Sequence, residues 1–301
     1  MKDRFKQGMV MTIFAGIAWG FSGNCAEILF KNFGITPVYL SSMRMVFSGL
    51  ILTIAALLTN RENLISMLKD KRSVLQLVLF ALFGILFNQV SYLEAINNLN
   101  SGTATILQYI GPVFCMITEC ILIKRLPTKK EVSAIMLAMI GTFILATHGD
   151  IHRIYITPLG LMWGLFSAFA IVFYTFLPIK LIEKYGAIPV TGCAMLIGGA
   201  VTSTYSKAFL QPFNTDSKFV ALLVLIILLG TIVSYTLYLM GINRCGPVVA
   251  SMLASIEPVS ATVFMVILLN VPFTGIEALG FACIFVTVFI IARSKTSNSN
   301  K

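Results

Sequence analysis

Ten apolar stretches succeed one another along this 301-residue chain, each about long enough to cross a ~30 Å hydrocarbon core at 1.5 Å per residue. They cover residues 8–30, 36–58, 74–97, 103–123 and 131–147, then 158–183, 189–209, 218–242, 247–269 and 275–292. In lipid every backbone polar group must find its partner inside the protein, and a helix does so within one segment. The expected fold is therefore an all-α integral membrane protein with ten transmembrane helices. Composition agrees: 57% of residues are hydrophobic and only 11% charged, against roughly 25% charged in soluble domains. The first stretch is too long for a signal-peptide core and has no convincing cleavage site, so it is expected to stay in the mature protein.

The net charge of +10 sits between the apolar runs and comes with no nucleic-acid recognition pattern, so lipid headgroups, not nucleic acid, are the expected polyanion. With the N-terminus taken as cytoplasmic, seventeen Lys and Arg fall on that side, in six clusters from Lys2, Arg4 and Lys6 to Arg293, Lys295 and Lys301. Lys31, Arg153, Lys207 and Lys218 fall on the other side, and Arg44 lies within the second span. Basic loops face the cytoplasm, which places both termini there and requires an even number of spans. The expected location is the cell (plasma) membrane, multi-pass, of a bacterial cell.

The two halves repeat at an offset of 146. Tyr92, Ile96, Asn97, Ala104, Leu107, Ile110 and Pro112 align with Tyr238, Ile242, Asn243, Ala250, Leu253, Ile256 and Pro258, and Glu131 aligns with Glu277. Residues 8–147 and 158–292 are thus expected to be two units of five helices. Five is odd, so the second unit enters the membrane in the opposite sense. That inverted-topology repeat is a plan of secondary transporters, which bind their substrate near the midplane between the repeats.

Three short stretches carry a resemblance: Ala18-Trp19-Gly20, Leu107-Gln108-Tyr109-Ile110-Gly111-Pro112 and Ser255-Ile256-Glu257-Pro258-Val259. With the two five-span halves they resemble the drug/metabolite transporter superfamily, and within it the EamA family, over about residues 8–292. The resemblance implies a small-molecule substrate, such as an amino acid or related compound, commonly moved outward. It departs from the family pattern at Lys124-Arg125-Leu126-Pro127 and Asn270-Val271-Pro272, where members often carry an acidic residue. No role tied to that acid transfers.

An ionised side chain at the bilayer centre costs about 2.5–3.5 kcal/mol on insertion scales, so each calls for a reason. Glu257 falls mid-span beside Pro258, on a stripe of small residues (Ala250, Ala254, Ala261) that turns this face into the bundle. Gln108 lies one turn from the pseudosymmetric position in span four, with Pro112 as the partner of Pro258. Each proline removes a helix hydrogen bond and leaves a carbonyl free near the midplane.

Asn88, Gln89 and Tyr92 crowd the outer half of span three, with Ser234, Tyr235 and Tyr238 of span eight as their pseudosymmetric counterparts, as a hydrated path or as structural hydrogen bonds. Trp19 is mid-span, where packing and substrate lining are both open. The expected substrate-binding set is Glu257, Gln108, Trp19, Asn88, Gln89, Tyr92 and Tyr235, with Pro112 and Pro258 as kinks. Arg44 could pair with Glu27, Glu94 or Glu119, or snorkel to an interface. His148 and His152 flank Asp150 in a loop whose Gly149 weakens metal geometry, so no metal or other cofactor is expected.

The absence of P-loop and hydrolase motifs leaves ATP-driven pumping and familiar hydrolysis without a basis. The reading is a secondary transporter working by alternating access, with a coupling proton at Glu257 or facilitated diffusion as its energy source. Its rivals are an organic-cation exporter, an intramembrane enzyme and a membrane receptor. Nothing in the sequence marks an oligomeric state.

Overall fold

Helices account for nearly all of residues 2–99, 101–147, 150, 152, 157–269 and 275–294, which the structure, a computed structural model, describes. In chain order they are α1 (Lys2–Phe33), α2 (Pro37–Thr59), α3 (Lys71–Asn98), α4 (Ser101–Leu122), α5 (Lys129–Thr147), α6 (Pro158–Tyr185), α7 (Ala187–Ser206), α8 (Ser217–Cys245), α9 (Pro247–Leu253 continued by Ile256–Leu269) and α10 (Gly275–Ser294). Among the described residues nine helices are long and apolar enough to cross a membrane, and α10 holds a shorter apolar stretch, Ala278–Ile290. Large apolar side chains such as Phe14, Leu58, Phe169 and Phe285 face outward, a surface suited to lipid and not to water. One element escaped the sequence reading, the short helix Arg61–Lys69 between α2 and α3.

Sequence signals set the ends of the helices. Thr36 and Thr157 cap α2 and α6 by accepting the backbone N–H of Tyr39 and Gly160, with Pro37 and Pro158 at the first helical position. Asp216 caps α8. Single glycines join α6 to α7 and α8 to α9: Gly186 and Gly246 hold φ of 88° and 91°, a region open almost only to glycine. Consecutive helices therefore alternate in direction. Gln7 of α1 meets Arg244 of α8 at the end where α1 begins, while Ser42 of α2 meets Ser206 of α7 at the opposite, far end.

The helices pack as pairs, α1 on α8, α3 on α6, α2 on α7 and α5 on α10, with α4 and α9 inside against α6 and α1. Two irregularities interrupt this frame, and each occurs twice. Helix α3 widens into a π-helical turn at Phe80–Leu86 and α8 does so at Leu228–Val233, with Gly84 and Gly230 inside those turns. Helix α4 breaks at Tyr109 and Ile110, and α9 breaks at Ala254 and Ser255. The cause of the second pair is legible in the sequence, since Pro112 and Pro258 lack an N–H and crowd the preceding turn.

Candidate functional site

Both helix breaks contribute to one cavity of about 70 Å³ at the centre of the bundle, Tyr109 from α4 and Ala254 from α9. All seven residues expected to bind substrate line it: Trp19 from α1, Asn88, Gln89 and Tyr92 from α3, Gln108 from α4, Tyr235 from α8 and Glu257 from α9. Pro112 lines it too, whereas Pro258 lines a second opening of about 240 Å³. That vestibule lies toward the far end, between Ser101, Gly102 and Thr105 on α4 and Pro258, Ala261 and Thr262 on α9. Gly23, Tyr92 and Glu257 border both spaces, so the Tyr92 and Glu257 side chains stand between them.

Glu257 is buried, 7% exposed, and its carboxylate sits between two tyrosines. Tyr92 Oη donates to Oε1 at 3.2 Å and Tyr109 Oη lies 3.4 Å from Oε2. The Tyr109 hydroxyl also donates to the Ala254 carbonyl, the one that Pro258 leaves without its usual helix partner. Each hydroxyl carries one proton and faces two acceptors. Tyr92 is also 3.0 Å from Thr105 Oγ1, whose own proton goes to the Ser101 carbonyl at 2.7 Å. The network is short of donors around an ionised carboxylate, and either a proton on Glu257 or a positive group from a ligand makes up the deficit. Close packing holds α9 in place: a methyl group on Gly20 of α1 would overlap Ser260 Oγ and the Glu257 carbonyl.

Opposite the carboxylate is an aromatic wall. The Trp19 ring meets Tyr235 edge-on at 5.5 Å and Tyr238 at 5.0 Å, and Tyr174 stacks on Tyr238 at 5.4 Å with 12° between planes. Among the described residues several polar atoms here find no hydrogen-bond partner: Asn88 Oδ1, both amide atoms of Gln89 and the Tyr174 hydroxyl. A buried donor or acceptor left unmade costs about 1–3 kcal/mol. Unpartnered groups lining a cavity are the ones a ligand can satisfy.

Arg44 corrects the sequence reading. It pairs with none of the carboxylates considered for it: Glu27 binds Lys31 at 2.7 Å, Glu94 accepts from Asn98, and Glu119 binds Arg125 at 3.0 Å. Nor does it snorkel. It is 5% exposed and lines the cavity, with Nε donating to Thr231 Oγ1 and Nη2 to the Gly230 carbonyl, both at 3.0 Å. The π-turn explains that acceptor: the Ser234 N–H reaches back five residues to Leu229, and the return to four-residue spacing leaves a carbonyl over.

Comparison with known proteins bears on what such a cavity serves. The EamA-like transporter family matches residues 6–147 and again 158–293. The chain belongs to the EamA-like transporter family. It is 31% identical over 287 residues to YicL, an uncharacterized inner membrane transporter of Salmonella typhimurium, covering 95% of each chain. It is 21% identical over 261 residues to an uncharacterized transporter of Archaeoglobus fulgidus, covering 87% of this chain and 90% of that protein. A solved crystal structure shares the fold with a TM-score of 0.76 at 16% identity, over 95% of this chain and 96% of that one.

The protein is thus a multi-pass membrane transporter of the drug/metabolite transporter superfamily, acting on a small molecule, and not an enzyme. In this EamA transporter the sequence reading left Arg44, Tyr109, Tyr174 and Tyr238 out of the binding set. For Tyr238 a signal was present, its alignment with Tyr92. For Arg44 there was none, because one of its two acceptors, the Gly230 carbonyl, is freed only by the π-turn. Among the described residues no three His, Cys, Asp or Glu side chains converge as metal ligands. His148 lies outside the described residues, and the His152 N–H bonds to Asp150.

Proposed function

We propose that the protein is a secondary transporter that moves a small metabolite, an amino acid or related compound, outward across the cell membrane by alternating access at the central cavity. Residues 8–147 and 158–292 are the two repeats, of opposite topology, with both termini cytoplasmic. The helix pairing supports this, since exchanging the halves turns α1–α8 into α6–α3 and returns α2–α7 and α5–α10 to themselves. So do the π-turns, with Gly84 and Gly230 at the offset of 146. The ends agree as well: α3 begins where Asp70 meets Lys184, the end at which its counterpart α8 finishes.

The observation that carries the reading is a departure from symmetry between the broken helices. Toward the N-terminal end, the half-helices Gly111–Leu122 and Pro247–Leu253 pack together around Met116, Val248, Met252 and Leu253. Their far halves stand apart across the vestibule. One side of the cavity is closed, and on the other Gly23, Tyr92 and Glu257 stand between it and an opening. Exchanging the arrangements of the two repeats yields the opposite state.

Within this scheme Glu257 takes a coupling proton or the positive group of the substrate, and Gln108, Asn88, Gln89, Tyr92, Tyr235 and Trp19 surround what is bound. Arg44 in the same cavity weighs against a bare organic cation as the substrate. A proteoliposome uptake screen over amino acids, organic cations and nucleosides tests the proposal. Uptake of an amino acid that wild-type protein accelerates and Glu257→Gln slows is expected, and acceleration of organic cations alone overturns the substrate class.

A further inference from the structure

We infer that Arg44 is the specificity-determining residue of the central cavity, selecting ligands that carry a carboxylate together with an amine on a compact apolar scaffold; this rests on the reading of that cavity as the transport site. Two of the three guanidinium nitrogens are tied to α8, Nε to Thr231 and Nη2 to Gly230. As a strut between α2 and α8 those bonds need only a neutral donor. A charge adds a desolvation penalty of several kcal/mol, which a structural tie has no use for. Among the described residues the remaining nitrogen, Nη1, has no hydrogen-bond acceptor, and the residue lines the cavity.

The cavity also holds the opposite charge, and the two are not joined. The Glu257 carboxylate is occupied by Tyr92 and Tyr109, while Arg44 is occupied by α8. A buried cation and a buried anion ordinarily close on each other, because each otherwise stays uncompensated. Here they line a common space walled by Trp19, Tyr174, Tyr235 and Tyr238. A zwitterion compensates both at once, its carboxylate on Arg44 Nη1 and its ammonium on Glu257, with its apolar group against the rings. A ligand with one charge leaves the other protein charge unmatched, so discrimination comes from the absent partner as much as from the present one.

The test uses full-length protein in detergent with Trp163→Phe, so that Trp19 fluorescence reports the cavity. Three probes differ only in their charged groups: L-leucine, 3-methylbutylamine, which lacks the carboxylate, and 4-methylpentanoate, which lacks the amine. Leucine is expected to bind about ten- to a hundredfold more tightly than either, the range of a hydrogen bond to a charged group. Arg44→Gln should bring leucine and 3-methylbutylamine to the same level, weakening leucine through the lost carboxylate partner and strengthening the amine by removing the unmatched guanidinium charge. Arg44→Lys should restore part of the preference. Equal binding of leucine and 3-methylbutylamine by the wild-type cavity overturns the Arg44 assignment and leaves the transport site standing. Equal loss of all three probes in Arg44→Gln makes Arg44 a strut and also overturns it. No response to any probe, together with unimpaired transport by Glu257→Gln, overturns both readings.

Discussion

Thr105→Val and Ser251→Ala should push the conformational equilibrium in opposite directions. Thr105 and Ser251 occupy corresponding positions in α4 and α9, as Tyr92 and Tyr238 do in α3 and α8. In the first half the tyrosine and the hydroxyl are bonded, Tyr92 to Thr105 at 3.0 Å. In the second half they are not: Tyr238 lies 3.4 Å from Thr175, and Ser251 donates to its own helix at the Val248 carbonyl. The bonded pair is on the side that is open. If the repeats exchange arrangements, Tyr238–Ser251 forms and Tyr92–Thr105 breaks when the other side opens. One hydrogen bond is worth about 0.5–1.5 kcal/mol net, a shift of roughly two- to twelvefold in the ratio of the two states.

Valine keeps the shape of Thr105 and removes the bond, so it should disfavour the state described. The assay is maleimide labelling of two single cysteines, Ala261→Cys in the vestibule and Met116→Cys in the closed apolar contact, with the six native cysteines replaced by alanine. Thr105→Val should slow labelling at 261 and speed it at 116, and Ser251→Ala should slow it at 116. Shifts of both variants in the same direction would refute the exchange of the two tyrosine pairs.

Three further outcomes follow from the packing and the charges. Gly20→Ala should lower stability by about 1–3 kcal/mol through overpacking against Ser260 and the Glu257 backbone, whereas Gly23→Ala, whose added carbon would lie 3.8 Å from the Tyr92 hydroxyl, should melt in detergent like wild type. Gln89→Leu removes a buried amide with no hydrogen-bond partner among the described residues, so it should raise the melting temperature while reducing transport. At the N-terminal end, hydrogen bonds from Ser73 first and then Lys184 hold the exposed Asp70 carboxyl down from 3.8 to about 2. A depressed carboxyl stabilises the fold above its unfolded value and loses that contribution as pH falls through the folded one. The melting-temperature difference between wild type and Asp70→Asn should therefore be constant above pH 5 and shrink toward pH 2.

The spans were legible because crossing lipid demands length and apolarity over each segment, and that signal survives uncertain boundaries. Glu257 and Gln108 were legible through the repeat, since a proline at matching depth in both halves marks where helices α4 and α9 break. The π-turns were not, because Gly84 and Gly230 read as ordinary small residues until the backbone spacing is known. Arg44 was misread for that reason: three carboxylates offered plausible partners, and one of its two true acceptors is a carbonyl released by irregular backbone. The aromatic wall was half legible, as 34 Phe, Tyr and Trp residues gave no ground for preferring Tyr174 without its neighbours.

Whether substrate crosses at the cavity bordered by Glu257 can be read from transport through purified Glu257→Gln protein in proteoliposomes. Glutamine keeps the size and a hydrogen-bonding group while removing the negative charge, so the variant should insert and fold. The folded variant should transport at least tenfold more slowly, and its remaining transport should no longer respond to a pH gradient if a proton is carried there. Folded Glu257→Gln protein that moves substrate at the wild-type rate would contradict crossing at that cavity.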